Sequence, residues 1–131
     1  MQNRVDVAIE CGQGWNSLIV PLIDYVEDHN SKVTNEEDKI TITQIKEKFG
    51  GLEFYTHNTT KELEKMIREA RNKSYKKCEI CGSEENVGQT TDGWITTCCE
   101  KCIREFVNSD KISRKWRKVG SKKDKIIKYE K

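Results

Sequence analysis

Two pairs of cysteines carry the clearest chemistry in the chain. Cys78-Glu79-Ile80-Cys81 and Cys99-Glu100-Lys101-Cys102 are C-x2-C units, with 17 residues from Gly82 to Cys98 between them. Two residues between thiolates let both sulfurs of a tight turn point at one metal, and two such turns supply the four sulfurs of a closed tetrahedral zinc site. Gly82 fits the sharp turn needed after the second sulfur. The predicted ligands are Cys78, Cys81, Cys99 and Cys102. Cys98 is an alternative, because Cys98-x3-Cys102 can also ligate; Cys99 is preferred because it keeps the second x2 unit. Cys98 then acts as a small apolar residue. Iron–sulfur ligation is open to the same thiolates but less favoured, and reduced thiols or disulfides are the bland alternative. Four sulfurs leave no open position for water, so a structural metal is expected rather than a catalytic one.

Three other segments mix groups that can act. Lys46-Glu47-Lys48-Phe49-Gly50-Gly51-Leu52-Glu53-Phe54-Tyr55 combines cations, aromatics and a glycine turn. Lys46, Lys48, Phe49 and Tyr55 could stack a base and pair its phosphate, or anchor a protein partner; the plainer reading is a structural hairpin with solvated lysines. Arg114, Trp116 and Arg117 interleave charge and aromaticity near the C-terminus, in the manner of nucleic-acid contacts. Cys11-Gly12-Gln13-Gly14-Trp15 precedes a helix, where a thiol can be activated. Catalysis there would need a base, and His29 and His57 sit in no recognisable motif. Phosphate-loop and dinucleotide fingerprints are absent. The chain reads as a non-enzyme.

The elements that must position these groups follow from periodicity. Trp15, Leu18, Ile19, Leu22 and Val26 predict an amphipathic helix from about 17 to 28, capped by Asn16 or Ser17, with Pro21 near its first turn. Residues 30–38 read as a loop. Ile40, Ile42 and Ile45 alternate with threonines, and Leu52, Phe54 and Tyr55 make a second strand, so 39–56 reads as a hairpin turning at Gly50-Gly51. Leu63, Met66, Ile67 and Ala70 mark a helix over 59–76, opened by a Thr59–Glu62 capping box. Trp94-Ile95-Thr96-Thr97 reads as a short strand after the Asp92-Gly93 turn. The fold expected is α+β: N-terminal helix, β-hairpin, long helix, C-terminal zinc ribbon (76–105) and basic tail.

Composition bounds the rest. With 131 residues, 35% charged and 34% hydrophobic, the chain can bury only a small core, which a metal staple would help. Residues 108–131 carry ten basic against three acidic groups, +7, whereas 1–107 carry 14 against 19, −5. The expected division is therefore one domain over 1–107 and a basic tail over 108–131 that could seek anions. The longest apolar run, Leu18–Ile23, is too short for a membrane span, and no secretory signal is expected. A soluble, intracellular protein with reduced thiols follows.

Gln44 to Tyr55, together with Gly14-Trp15, Cys78-Glu79-Ile80-Cys81-Gly82 and Gly93-Trp94-Ile95-Thr96-Thr97-Cys98-Cys99-Glu100-Lys101-Cys102, resembles small zinc-knuckle proteins of phages and prophages. The resemblance covers about residues 10–105. It departs at Glu53, where the group carries Arg, and at Cys98, where it carries an apolar residue. It implies a viral origin, a zinc-stapled fold and the cytoplasm of a bacterial host, and it brings no activity with it. The expected function is a binding protein or inhibitor in host–virus interaction that sequesters a host protein or a nucleotide-type signal, a second subunit helping to enclose the latter. The alternative is a nucleic-acid-binding regulator working through the basic tail.

Overall fold

The computed structural model describes residues 7–110, 113–120 and 126–129. The chain is α+β, with two small sheets, each carrying its own core. In order, the elements are β1 (Ile9–Glu10), α1 (Asn16–Lys32), β2 (Thr41–Lys48), β3 (Gly51–His57), α2 (Lys61–Ser74), β4 (Val87–Thr90), β5 (Thr97–Cys99), α3 (Glu100–Asp110), β6 (Arg114–Lys118) and β7 (Ile126–Tyr129). Among the described residues no helix is long and apolar enough to cross a membrane.

The first sheet runs β1-β2-β3. The expected hairpin is present, antiparallel from Thr41 opposite His57 to Lys48 opposite Gly51. Its alternation buries Ile45, Leu52 and Phe54, which join Trp15, Ile19, Leu22, Val26, Leu63 and Ala70 of the helical layer. Burying each large side chain contributes about 1.5–3 kcal/mol. β1 adds a parallel pairing, Ile9 opposite Ile45, that no periodicity announced.

Several expected boundaries shift. α1 reaches Lys32 because Asn30 brackets Ile40, accepting from its N–H (2.8 Å) and donating to its carbonyl (2.9 Å), which ties down the last turn. Neither Asn16 nor Ser17 caps it; a 3-10 turn over Gln13–Trp15 leads straight in, and Pro21 lies inside the helix. The cap of α2 is Thr60, whose hydroxyl accepts from Leu63 N (3.0 Å), rather than Thr59. The hairpin turns at Phe49-Gly50, both at positive φ (53° and 84°), one residue before the expected Gly-Gly. Gly51 serves packing instead: a Cβ there would lie 2.6 Å from the Tyr75 ring.

The second sheet, ordered β5-β4-β6-β7, corrects the largest expectation. The described residues of 108–131 do not form a separate tail. Asp110 still belongs to α3, and β6 and β7 extend the sheet. Trp116, expected at a contact surface, is 2% exposed. Its ring lies against Gly88, where any Cβ would be 2.4 Å from it, and its Nε1–H donates to the Cys98 carbonyl at 3.0 Å. Tyr129 meets it edge-on, with ring centroids 5.9 Å apart. The second core thus runs through Val87, Cys98, Ile103, Val107 and Trp116 and has no boundary at 107.

Candidate functional site

The four predicted cysteines converge. The sulfurs of Cys78, Cys81, Cys99 and Cys102 all lie within 4.8 Å of one another, and Cys81 and Cys99 are 3.7 Å apart. Zinc–sulfur bonds of about 2.3 Å in a tetrahedron place sulfurs about 3.8 Å apart, so this donor set fits such an ion, whereas a disulfide needs about 2.05 Å. All six cysteines are free thiols.

Local structure makes each knuckle. α2 ends at Ser74, the chain tapers through a turn, and Cys78 N–H donates to Ser83 O (2.8 Å) while Gly82 N–H donates back to Cys78 O (2.9 Å). Gly82 takes φ +85° to close that loop. Cys81 N–H then points at Cys78 Sγ (3.4 Å). The second knuckle spans a strand-to-helix junction, with Cys99 ending β5 and Cys102 in the first turn of α3. Burial alone would raise the Cys78 thiol, but hydrogen bonds from the backbone of Cys81, Cys99 and Ile80 bring it below the ordinary value. Burial and crowding by the other thiols hold Cys102 up. A cation among these sulfurs must therefore displace protons to bind.

Cys98 is outside this group. It is 1% exposed in the core, and burial pushes its thiol up to about 12. Cys11 is equally unsuited to nucleophilic work: burial first, then the charges of Glu79 and Glu47, push it up to about 11. Its neighbours form a structural clasp. Gly14 N–H donates to Glu79 O (2.7 Å), Gly12 N–H to Glu79 Oε2 (2.9 Å), and Trp15 Nε1–H to Lys77 O (2.9 Å). A Cβ on Gly14 would fall 2.1 Å from the Cys78 carbonyl oxygen, so only glycine lets the chain pass this close to the knuckle. His29 holds the Asp38 carbonyl (2.9 Å), and His57 is exposed at the end of β3.

The hairpin tip docks on the cysteine-bearing half. Thr97 Oγ1 donates to Gly50 O, and Gln89 Nε2 donates to Thr97 Oγ1 (2.9 Å) beneath it. Thr97 is buried two residues before Cys99, so the tip rests on the strand that carries this cysteine.

This chain matches no protein-family model, no curated protein and no solved structure. The site's own geometry carries the functional argument.

At the tip, Phe49 is 71% exposed and Trp94, expected within a strand, lies in a bend and is 73% exposed. One carboxylate joins the Trp94 indole to the turn backbone. Glu47 Oε1 accepts from Trp94 Nε1–H (3.0 Å) and Oε2 from Gly50 N–H (2.7 Å). Between residues 46–49 and 93–95 lies a cleft of about 500 Å³. Lys48 Nζ sits 5.8 Å from the Phe49 ring centre, and Lys46 Nζ 5.7 Å from that of Tyr55. Of the residues expected at a hairpin site, Lys46, Lys48 and Phe49 line this cleft, whereas Tyr55 lies outside it beside Lys46. Trp94 and Glu47 were missed; the sequence signal for Trp94 was its place directly after the Asp92-Gly93 turn.

The C-terminal candidates divide. Trp116 is core. Arg114 clasps the 92–94 bend: Nε donates to Asp92 Oδ1 (3.1 Å) and the same guanidinium to Asp92 O (2.7 Å) and Trp94 O (3.0 Å). It positions the bend that carries Trp94. Arg117 is half-buried and opposite Gln89, so both side chains leave the sheet on the face that meets the hairpin tip.

Proposed function

We propose that this is a non-enzymatic, zinc-stapled binding protein of viral type that captures a host factor through its hairpin tip. The observation that carries the reading is the pair of exposed aromatic rings, Phe49 and Trp94, that line one cleft, with the Glu47 carboxylate joining the Trp94 indole to the turn backbone at Gly50. Large exposed aromatics that border one cleft form an apolar surface suited to a contact. Phe49 also occupies the first position of a two-residue hairpin turn at φ 53°, where Asn, Asp or Gly is favoured. A bulky residue there is a conformational cost that the fold alone does not require.

Zinc is the metal favoured by four thiolates at this spacing, and a closed four-sulfur shell assigns it a structural role. It would anchor the strand on which the tip rests. The resemblance of these motifs to small phage and prophage zinc-knuckle proteins supports a viral protein acting in a bacterial cytoplasm. A regulator working through a detached basic tail is less supported, since Trp116 is core and Arg114 is engaged within the fold.

The test is affinity capture from host lysate, with and without nuclease, using the wild-type chain and Phe49→Ala. The reading expects a captured component that Phe49→Ala loses. Equal capture by both proteins would remove the tip as the contact surface.

A further inference from the structure

We propose that the hairpin tip binds single-stranded nucleic acid, bases stacking on Phe49 and Trp94 and phosphates pairing with the lysines around them. This rests on the reading of the tip as a contact surface and names what it contacts.

Single-strand binders combine aromatic platforms with a basic track. The platforms are the two exposed rings. The track has two sides. Lys46 and Lys48 leave β2 on one face and flank the cleft. Across the tip, Gln89 sits against Gly50 and is the register partner of Arg117, so Arg117 and Lys115 leave β6 toward the face on which the tip rests. Lys128, opposite Lys115, joins them. Lys48, Lys115 and Lys128 are exposed. The acidic group in the cleft, Glu47, has one oxygen on the Trp94 indole and the other on Gly50 N–H. Those donors offset its charge, and it fixes the platform.

The same features weigh against other occupants. The core of a protein–protein interface is depleted of charge, whereas here a lysine stands within 6 Å of the Phe49 ring and another within 6 Å of Tyr55. Recognition of a lone nucleotide needs groups that read the base edge in an enclosed pocket; the Trp94 N–H is already used, and the cleft lies open at a turn tip. Stacking needs only the π-face, which every base offers.

Tryptophan emission provides a direct readout. Trp15 and Trp116 are 0% and 2% exposed, so Trp94 is the one indole open to solvent. Titration of the zinc-loaded full chain with 12-nucleotide oligo(dT) and oligo(U) at low salt should quench its emission. The quench should vanish in Trp94→Phe. With a labelled oligonucleotide, Phe49→Ala should weaken binding at least about fivefold, from the loss of one stacked base. Phe49→Asn, which suits the turn, should do the same with an unaltered fold. Lys46→Ala/Lys48→Ala should flatten the salt dependence of log K by about 1.4 if both contact phosphates. No quench and no binding at low salt, binding indifferent to Phe49→Asn, or AMP and UMP binding as tightly as the 12-mers would each overturn the proposal. The same variants in lysate capture separate the two readings. A nuclease-resistant protein partner lost in Phe49→Asn would keep the tip as a contact surface and reject nucleic acid. Capture unchanged by Phe49→Asn, with no oligonucleotide binding, would reject both.

Discussion

Two stretches of this chain look alike as sequence and end in opposite places. Lys46-Glu47-Lys48-Phe49 and Arg114-Lys115-Trp116-Arg117 both set an aromatic among basic groups. Trp116 is 2% exposed, and Phe49 is 71% exposed. Strand pairing separates them. Trp116 lies within β6, opposite Thr90, and alternation sends its ring over Gly88, with Cys98 O waiting for its N–H. Phe49 lies where β2 turns into β3, so no strand partner covers it. An aromatic among lysines is thus ambiguous until its register is known: within a paired strand it belongs to the fold, and at a turn it is free to touch something else.

A metal held by the four cysteines would anchor β5, which both segments touch, and its loss should have the largest effect. Structural zinc sites contribute about 10–16 kcal/mol of apparent binding free energy. Cys81→Ser, or a strong chelator, should unfold at least the half that contains β4 to β7, read as loss of near-ultraviolet signal from buried Trp116. Native unfolding curves for Cys81→Ser would show the knuckle to be dispensable. Cys98→Ala should keep one zinc per chain by elemental analysis; a drop would mean that Cys98 is the ligand.

The two aromatics should then diverge. Trp116→Ala removes a fully packed ring and should cost about 3–5 kcal/mol in chemical denaturation. Phe49→Ala should change stability by no more than about 0.5 kcal/mol, the usual range for exposed positions. Similar costs for the two would mean that Phe49 is packed. Phe49→Asn sharpens the contrast, because Asn-Gly is favoured in this turn. It should hold or raise the melting temperature.

The smallest effect concerns the clasp on the Trp94 bend. Burial is the largest single influence on the Asp92 carboxyl and raises it, but the hydrogen bond and charge of Arg114 and the Lys115 N–H together hold it below the ordinary range. A carboxyl depressed in the folded state stabilises above its unfolded value of about 3.9 and loses that contribution as pH falls through the folded value. Asp92→Asn should therefore lower the melting temperature modestly at pH 7 and by less at pH 2. Asp92 is partly exposed, so the effect stays small. Equal losses at both pH values would assign the bend to something other than this charge pair.

Local signals were legible and long-range ones were not. The C-x2-C units, the 3–4 spacing of α2 and the alternation of the hairpin each lie within a few residues, and the structure contains all three. Gly50-Gly51 offered two turn frames, and the choice fell to the Tyr75 ring, which needs Gly51 for clearance. The β1–β2 and β4–β6 pairings depend on partners 26 or more residues away, and β7 joins the sheet only through β6. The exposure of Trp94 depends on Glu47 and Arg114, which sequence does not place beside it.

The central claim is that Phe49 serves contact and not folding. The most direct test measures the melting temperature and the lysate capture of Phe49→Asn side by side with wild type. The account predicts a melting temperature at or above that of wild type together with loss of the captured component. Capture retained at full level by a well-folded Phe49→Asn protein would contradict it.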